Sequence, residues 1–257
     1  MTGLGRQVVL LVAVLATVAL NGVAGSVGLF GRQTGSISDN LPNPFVPYGP
    51  TFAIWGVIFV GLLAFGVYQA LPGQRGERFD RLFWPFLLSN LLNMGWLLTW
   101  HSLAYTFSVV IMLGLLGSLV WLYRTLAALP LRSAGERWCL GVPTSLYLGW
   151  ISVATIANIT AWLVSLGVTQ GALGLSAPVW SALLVVVAAV IGALMLLRFR
   201  DLAFALVLAW AFYGVYAKRP EMTTVVWGVV IGAVVLLLAA LLSLRRPAGG
   251  PPRTVGA

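Results

Sequence analysis

The stretch that decides the fold runs from Tyr147 to Trp162 and reads YLGWISVATIANITAW. It is uncharged and mostly apolar, as a membrane-spanning helix requires. Trp150, Ala154, Asn158 and Trp162 recur every four residues, and at about 100° per residue they form a gently drifting stripe on one helix face. A helix surface with two indoles on either side of an amide would be unusual if it faced lipid. The stripe therefore predicts a bundle interior in which a flat ligand stacks on the rings and the amide binds its polar edge.

The rest of the chain has the composition of a membrane protein. Of its 257 residues, 60% are hydrophobic and only 8% are charged, whereas soluble domains carry about 25% charged residues. We therefore predict an all-α integral membrane protein with eight transmembrane helices, of which Leu202–Ala217 is the weakest. The eight apolar runs are Val8–Phe30, Thr51–Leu71, Leu82–Trp100, Ala104–Leu129, Cys139–Leu166, Pro178–Leu197, Leu202–Ala217 and Thr223–Leu244.

The net charge of +9 is explained by topology and not by a nucleic-acid partner. With eight spans, one side of the membrane carries Arg6, Arg75, Arg78, Arg81, Arg124, Arg132, Arg137, Arg198, Arg200, Arg245, Arg246 and Arg253. The other side carries Arg32, Lys218 and Arg219. Because cytoplasmic loops are enriched in Lys and Arg, we expect both termini to be cytoplasmic. The first helix is expected to be uncleaved. The membrane is expected to be the bacterial cytoplasmic membrane.

Several chemistries lack the residues that they need. All six carboxylates lie in loops or at span ends, which disfavours a proton-coupled transporter. The only lysine, Lys218, lies in a loop, so a retinal Schiff base within a helix is excluded, and no acidic pair suits a metal-bound diphosphate. His101 and Cys139 are too few for a metal cluster, and we expect neither to ligate haem iron. No metal site is predicted.

The intramembrane polar residues are amides and tryptophans. An amide in hydrocarbon needs a partner, so Asn93 and Asn158 are expected to join helices or face a ligand. Tryptophans near span ends are typical of an interfacial belt, which we predict for Trp84, Trp100, Trp138 and Trp180. A second set, assigned to a pocket, consists of Trp55, Trp96, Trp150 and Trp162. The proline-rich loop at residues 31–50 is expected to form an ordered cap outside the membrane.

Three segments resemble the tryptophan-rich sensory protein family (TspO/MBR), which includes the translocator protein also called the peripheral benzodiazepine receptor. They are Ile54-Trp55-Gly56 followed by Phe59, the run Leu92-Asn93-Met94-Gly95-Trp96, and the stretch Tyr147–Trp162. The resemblance covers residues 8–167 and implies a five-helix membrane bundle that binds porphyrins and, in some members, sterols. We accordingly divide the chain into a TspO-like bundle at 1–167, three additional helices at 168–246 and a disordered tail at 247–257.

The resemblance also implies which residues line the pocket. They are Trp55, Phe59, Asn93, Trp96, Tyr147, Trp150, Ala154, Asn158 and Trp162. The family's first loop carries a Trp that helps to cap the pocket, whereas the loop here, Pro44-Phe45-Val46-Pro47-Tyr48-Gly49-Pro50, has none. The identity of the ligand therefore stays open.

The function predicted first is that of a sensor or regulator that binds a tetrapyrrole or a similar flat hydrophobic ligand. Two alternatives are a carrier for a neutral or amphipathic solute and an enzyme that modifies porphyrin with light or oxygen. No catalytic residue and no required cofactor are predicted. The expected partners are the lipid bilayer and a small hydrophobic ligand, and the extra helices leave a homo-oligomer open.

Overall fold

The computed structural model describes residues 3–129 and 131–245, and its architecture is almost wholly helical. Eight long helices follow one another: α1 (Gly3–Ser26), α2 (Ile54–Ala70), α3 (Phe83–His101), α4 (Tyr105–Ala128), α5 (Val142–Ser165), α6 (Ala177–Phe199), α7 (Leu202–Lys218) and α8 (Thr223–Arg245). Seven spans are long and apolar enough to cross a membrane, with α2 extended to 22 residues by the helical segment Gly49–Ala53 before it, and α7, with 17 residues, is shorter. The prediction of an all-α integral membrane protein is confirmed. The predicted disordered tail lies outside the described residues.

Short elements connect the long helices. The helical segments are Thr34–Asp39, Gly49–Ala53, Pro72–Gln74, Glu77–Asp80, Ala134–Glu136 and Arg137–Gly141. Between α5 and α6 lies a small antiparallel hairpin of β1 (Gly171–Ala172) and β2 (Leu175–Ser176), in which Gly171 pairs with Ser176. The composition did not predict this hairpin.

The first five helices form a bundle to which the last three are attached through α7. Helix α1 packs on α2 and α3, α4 packs between α3 and α5, and α2 completes the bundle against α5. Helix α7 lies against α5 on one side and against α6 and α8 on the other. Its Leu208, Ala211 and Val215 are almost fully buried. This helix was the weakest span in the sequence because it is short. In the structure it is packed between other helices of the protein.

Large apolar side chains cover the outside of the helices. Leu15, Val60, Leu113 and Leu237 are each about half exposed or more, on four different helices. Such a surface suits contact with hydrocarbon, so the protein contacts the lipid bilayer.

Ion pairs hold the loops together at each end of the bundle. At the end where α1 begins, the buried Arg6 pairs with Asp80, and Arg78 donates to Glu136 through Nη2 at 2.8 Å. At the opposite end Lys218 pairs with Asp39 at 2.6 Å. These contacts bring together loops that the eight-span alternation assigns to the same side of the membrane.

Candidate functional site

Residues 31–50, called the cap here, fold over one end of the bundle. Asn43 Oδ1 accepts a hydrogen bond from the Phe45 N–H at 3.0 Å, and Asn43 Nδ2 donates to Thr160 Oγ1 on α5 at 2.6 Å. The Tyr48 N–H donates to the Gly214 carbonyl on α7 at 2.8 Å. Phe45 and Val46 are each 2% exposed. The prolines therefore do not leave a loose loop, and the expected ordered cap is what the structure contains.

Beneath the cap lies a small cavity, called the aromatic cavity here. Its volume is about 50 Å³, and it is bounded by the cap, α2, α3 and α5. The lining residues are Thr34, Ser38, Pro47, Phe52, Trp55, Trp96, Trp100, Trp150, Val153, Ala154, Ala157 and Asn158. Four indoles and a phenyl ring thus surround a space that carries few polar groups.

Most of the tryptophans predicted for the pocket meet at this cavity. Trp55 and Trp150 stand edge to face, with ring centroids 6.3 Å apart and an interplanar angle of 82°. Trp96 from α3 joins them, and Ala154 provides a small surface on α5. Five of the predicted residues therefore line one cavity, although contact with a ligand stays a prediction.

Three predicted residues lie behind the cavity wall instead of in it. Phe59 stacks on Trp55 with centroids 5.3 Å apart, and Tyr147 meets Trp55 edge-on at 6.0 Å. Asn93 donates to the Tyr147 hydroxyl at 2.8 Å and accepts from Asn21 Nδ2 at 2.7 Å. Asn93 therefore joins α1, α3 and α5, and Phe59 and Tyr147 fix the position of the Trp55 ring.

Trp162 lies away from the aromatic cavity. Its Nε1–H donates to Thr106 Oγ1 at the start of α4, at 3.0 Å. Each step of four residues advances about 40° beyond a full turn, so three steps place Trp162 about 120° around the helix from Trp150. Asn158, after two steps, still faces the cavity. The stripe therefore faces the cavity from Trp150 to Asn158, and the rotation carries Trp162 away from it.

The hydrogen-bonding groups of the site differ from the expected arrangement. Asn158 Oδ1 accepts from Trp96 Nε1 at 2.8 Å, and Asn158 Nδ2 donates to Ser108 Oγ at 2.9 Å. The amide thus ties α3 and α4 to α5, instead of standing free for a ligand. By contrast, the buried Trp150 Nε1–H has no acceptor in the part of the chain that the structure describes. A buried donor without a partner is unusual and costly.

Comparison with protein families gives a match over almost the whole chain. A family model described as TSPO-like protein matches residues 7–242. This chain belongs to the TSPO-like protein family. Neither the curated proteins nor the solved structures searched include a match.

Family membership extends what the motifs alone indicated. The match continues through α6, α7 and α8, beyond the five helices on which the sequence resemblance rested. It identifies an integral membrane protein of a tetrapyrrole- or ligand-binding type in general terms. Family membership does not by itself identify the particular ligand or role.

Trp100 is the main residue that sequence reasoning misplaced. Its position near the end of a span predicted an interfacial residue, but only 5% of it is exposed, and it lines the aromatic cavity. It stacks on Trp96 with centroids 5.7 Å apart, as a residue one helical turn away can. The four-residue spacing between Trp96 and Trp100 was the sequence signal that places both indoles on one helix face. Trp84 and Trp138, at 57% and 67% exposure, do lie on the surface as expected of a belt.

The remaining wall of the cavity comes from the cap, and α7 holds the cap there. A Cβ atom on Gly214 would lie 2.3 Å from Thr51 Oγ1 and 2.9 Å from the Pro47 Cβ, so only glycine allows this approach. Trp210 Nε1 also donates to the Thr51 carbonyl at 2.8 Å. Pro47 lines the cavity directly. One of the extra helices therefore positions part of the site.

Proposed function

We propose that this protein binds a flat hydrophobic ligand, with a tetrapyrrole as the first candidate, in the aromatic cavity beneath the cap. The observation that carries the proposal is the convergence of four tryptophans on one cavity, among them Trp150, whose buried Nε1–H is unpaired in the described residues. Indole faces suit stacking on a flat conjugated ring, and an unpaired donor suits a ligand oxygen or nitrogen. Family membership supports the same class of ligand.

The size of the cavity adds a requirement to this proposal. Its volume of about 50 Å³ is far below the roughly 300–1,000 Å³ of pockets that enclose drug-sized ligands. The described conformation is therefore a closed one, and the cap must move when a tetrapyrrole enters. Its hydrogen bonds to Thr160 and Gly214 are the contacts that must break or shift.

We propose binding, and hence sensing or regulation, in preference to catalysis. The described lining residues include no carboxylate, lysine, cysteine or histidine that would act as acid, base or nucleophile. The carrier alternative differs in its outcome, because a carrier gives net flux of the ligand in proteoliposomes and a sensor binds without net transport. Both termini are proposed to face the cytoplasm of a bacterial cell.

The test is a titration of the purified protein in lipid nanodiscs with protoporphyrin, followed through porphyrin absorbance. Wild type is expected to bind saturably. Trp150→Phe removes the unpaired donor while keeping an aromatic ring, and it is expected to weaken binding about tenfold, or about 1.4 kcal/mol.

Trp162→Phe is the matched control, because it makes the same change on the same helix outside the cavity. It is expected to bind as wild type does. Equal weakening by both substitutions, or no saturable binding by wild type, would contradict the proposal.

A further inference from the structure

A second and much larger cavity, called the side cavity here, lies between α5 and α6. Its volume is about 410 Å³, within the range of pockets that enclose small ligands. The lining residues are Pro42, Asn43, Pro44, Phe45, Ile156, Ile159, Thr160, Leu163, Val164, Val168, Thr169, Gly171, Ala172, Leu173, Ala177, Trp180, Ser181 and Leu184. None of them lines the aromatic cavity.

The two cavities use different faces of α5. Thr160 follows Asn158 by two residues, which is a rotation of about 200° around the helix. The side cavity therefore faces away from the bundle core and toward α6. Helix α7 packs on both α5 and α6, while α5 and α6 make few contacts with each other. The space between them is closed at one end by the cap and the β1–β2 hairpin.

The side cavity is elongated and apolar along its length. On α5 its lining runs from Ile156 to Val164, nine residues or about 12 Å of helix. On α6 it runs from Ala177 to Leu184, a stretch of similar length. The described lining carries no charged side chain. Such a slot between two spanning helices fits a hydrocarbon chain that lies along them.

Hydrogen-bonding groups extend from the end near the cap to the middle of the slot. Ser181, in the first turns of α6, is 2% exposed, and none of the residues in 3–129 and 131–245 provides a partner for its Oγ. Thr160 Oγ1 accepts from Asn43 nearby, and the Trp180 indole donates to the Ala172 carbonyl at 2.8 Å. Ile156 and Leu184, farther from the cap, are apolar. The polarity thus falls from one end of the slot to the other.

We propose that the side cavity binds a single-chain neutral lipid whose small hydroxyl-bearing head lies near Ser181. From Ser181 the chain would pass Leu184, three residues or about 5 Å farther along α6, and would continue between the helices into the bilayer. The uncharged lining disfavours a phosphorylated head, and the unpaired Ser181 hydroxyl favours a head that can exchange a hydrogen bond. This site shares no lining residue with the aromatic cavity, and Asn43 and Thr160, which join the cap to α5, belong to its wall.

The test uses a photoreactive octadecanol with a diazirine in its chain, added to the protein in phosphatidylcholine nanodiscs. Crosslinked peptides are identified by mass spectrometry. We expect labelling on the α5 and α6 residues that line the side cavity, competed by unlabelled octadecanol. Leu184→Trp fills the slot and is expected to reduce this labelling at least fivefold. Leu183→Trp is the matched control, because Leu183 is 44% exposed on the outer surface, and it is expected to keep full labelling.

Two further variants keep the test decisive. Ile156→Trp fills the slot from α5 and replaces Leu184→Trp if that variant does not fold. Ser181→Ala is expected to weaken competition by octadecanol about threefold and to leave competition by octadecane unchanged. Equal labelling of wild type, Leu184→Trp and Leu183→Trp, or labelling that unlabelled octadecanol does not compete, would overturn the proposal.

Discussion

At the scale of single residues, the amides of this protein hold helices together more than they face a ligand. Asn93 connects Asn21 of α1 with Tyr147 of α5, and Asn158 connects Trp96 of α3 with Ser108 of α4. Because an amide within a membrane needs a partner, these two bonding patterns orient α3 against α5 and fix one wall of the aromatic cavity. Trp150, whose Nε1–H has no acceptor among the described residues, is the donor that we propose for a ligand.

Asn158→Ala should destabilise the bundle, because it leaves the Trp96 Nε1–H without its acceptor. Hydrogen bonds between membrane helices contribute about 0.6 kcal/mol on average and at most about 1.7 kcal/mol. A loss of about 1 kcal/mol lowers the melting temperature by about 3 °C, measured by thermal unfolding in detergent.

Thr125→Ala is the control for that measurement, because the exposed Thr125 hydroxyl bonds only to a carbonyl of its own helix. It should melt within a degree of wild type. An Asn158→Ala variant as stable as this control would show that the Trp96 bond contributes nothing measurable.

At the scale of elements, the span that was weakest in the sequence holds the cap in place. Helix α7 is too short to be a convincing span by itself, yet it is buried between α5 and the α6–α8 pair. It presents Gly214 and Trp210 to Thr51 and Pro47, and so holds the cap over the aromatic cavity. The additional helices therefore act on the aromatic cavity through the cap, and α6 also forms one wall of the side cavity.

Gly214→Ala should loosen the cap, because its new Cβ would lie 2.3 Å from Thr51 Oγ1. We expect faster association of protoporphyrin, by at least threefold in stopped-flow absorbance, since the closed cap is the barrier to entry. Gly117→Ala on α4 is the control, because a Cβ there meets no atom within 4 Å. Unchanged association in Gly214→Ala would mean that the cap does not limit entry.

At the scale of the whole molecule, the charge distribution and the helix packing agree on one arrangement. The contacts Arg6–Asp80 and Arg78–Glu136 lie at one end of the bundle, and Lys218–Asp39 lies at the other. With eight crossings, we propose that the arginine-rich end faces the cytoplasm, as the positive-inside rule favours. On this proposal the cap and the aromatic cavity beneath it lie toward the outer side of the membrane.

This orientation predicts a clear labelling pattern in a cysteine-free background made by Cys139→Ala. Tyr48→Cys in the exposed part of the cap should react with a membrane-impermeant maleimide on intact cells. Gly73→Cys, in an exposed turn between α2 and α3, should react only after the cells are opened. The reverse pattern would invert the proposed topology.

The features that sequence could predict are those set by local periodicity. The apolar runs determined the eight helices, and the four-residue spacing placed Trp150, Ala154 and Asn158 on one face. Trp162 does not line the aromatic cavity, because small rotations add up along a helix, and its contact with a ligand stays a prediction. Trp100 was assigned wrongly to the interface, because its distance from the span end was taken as its exposure. The cap residues that line the cavity had no local sequence signal, since Pro47 packs against Gly214 and Thr34 bonds to Trp100 and His101, all far along the chain.

The most direct test of the central claim is fluorine NMR of the protein labelled with 5-fluorotryptophan, recorded before and after addition of protoporphyrin. The ring current of a porphyrin shifts only nuclei close to it, and each resonance is assigned by substituting one tryptophan with phenylalanine. We predict large shifts for Trp55, Trp96, Trp100 and Trp150, and none for the exposed Trp84, Trp138 and Trp227. Shifts at Trp180 with none in the four cavity tryptophans would contradict the account.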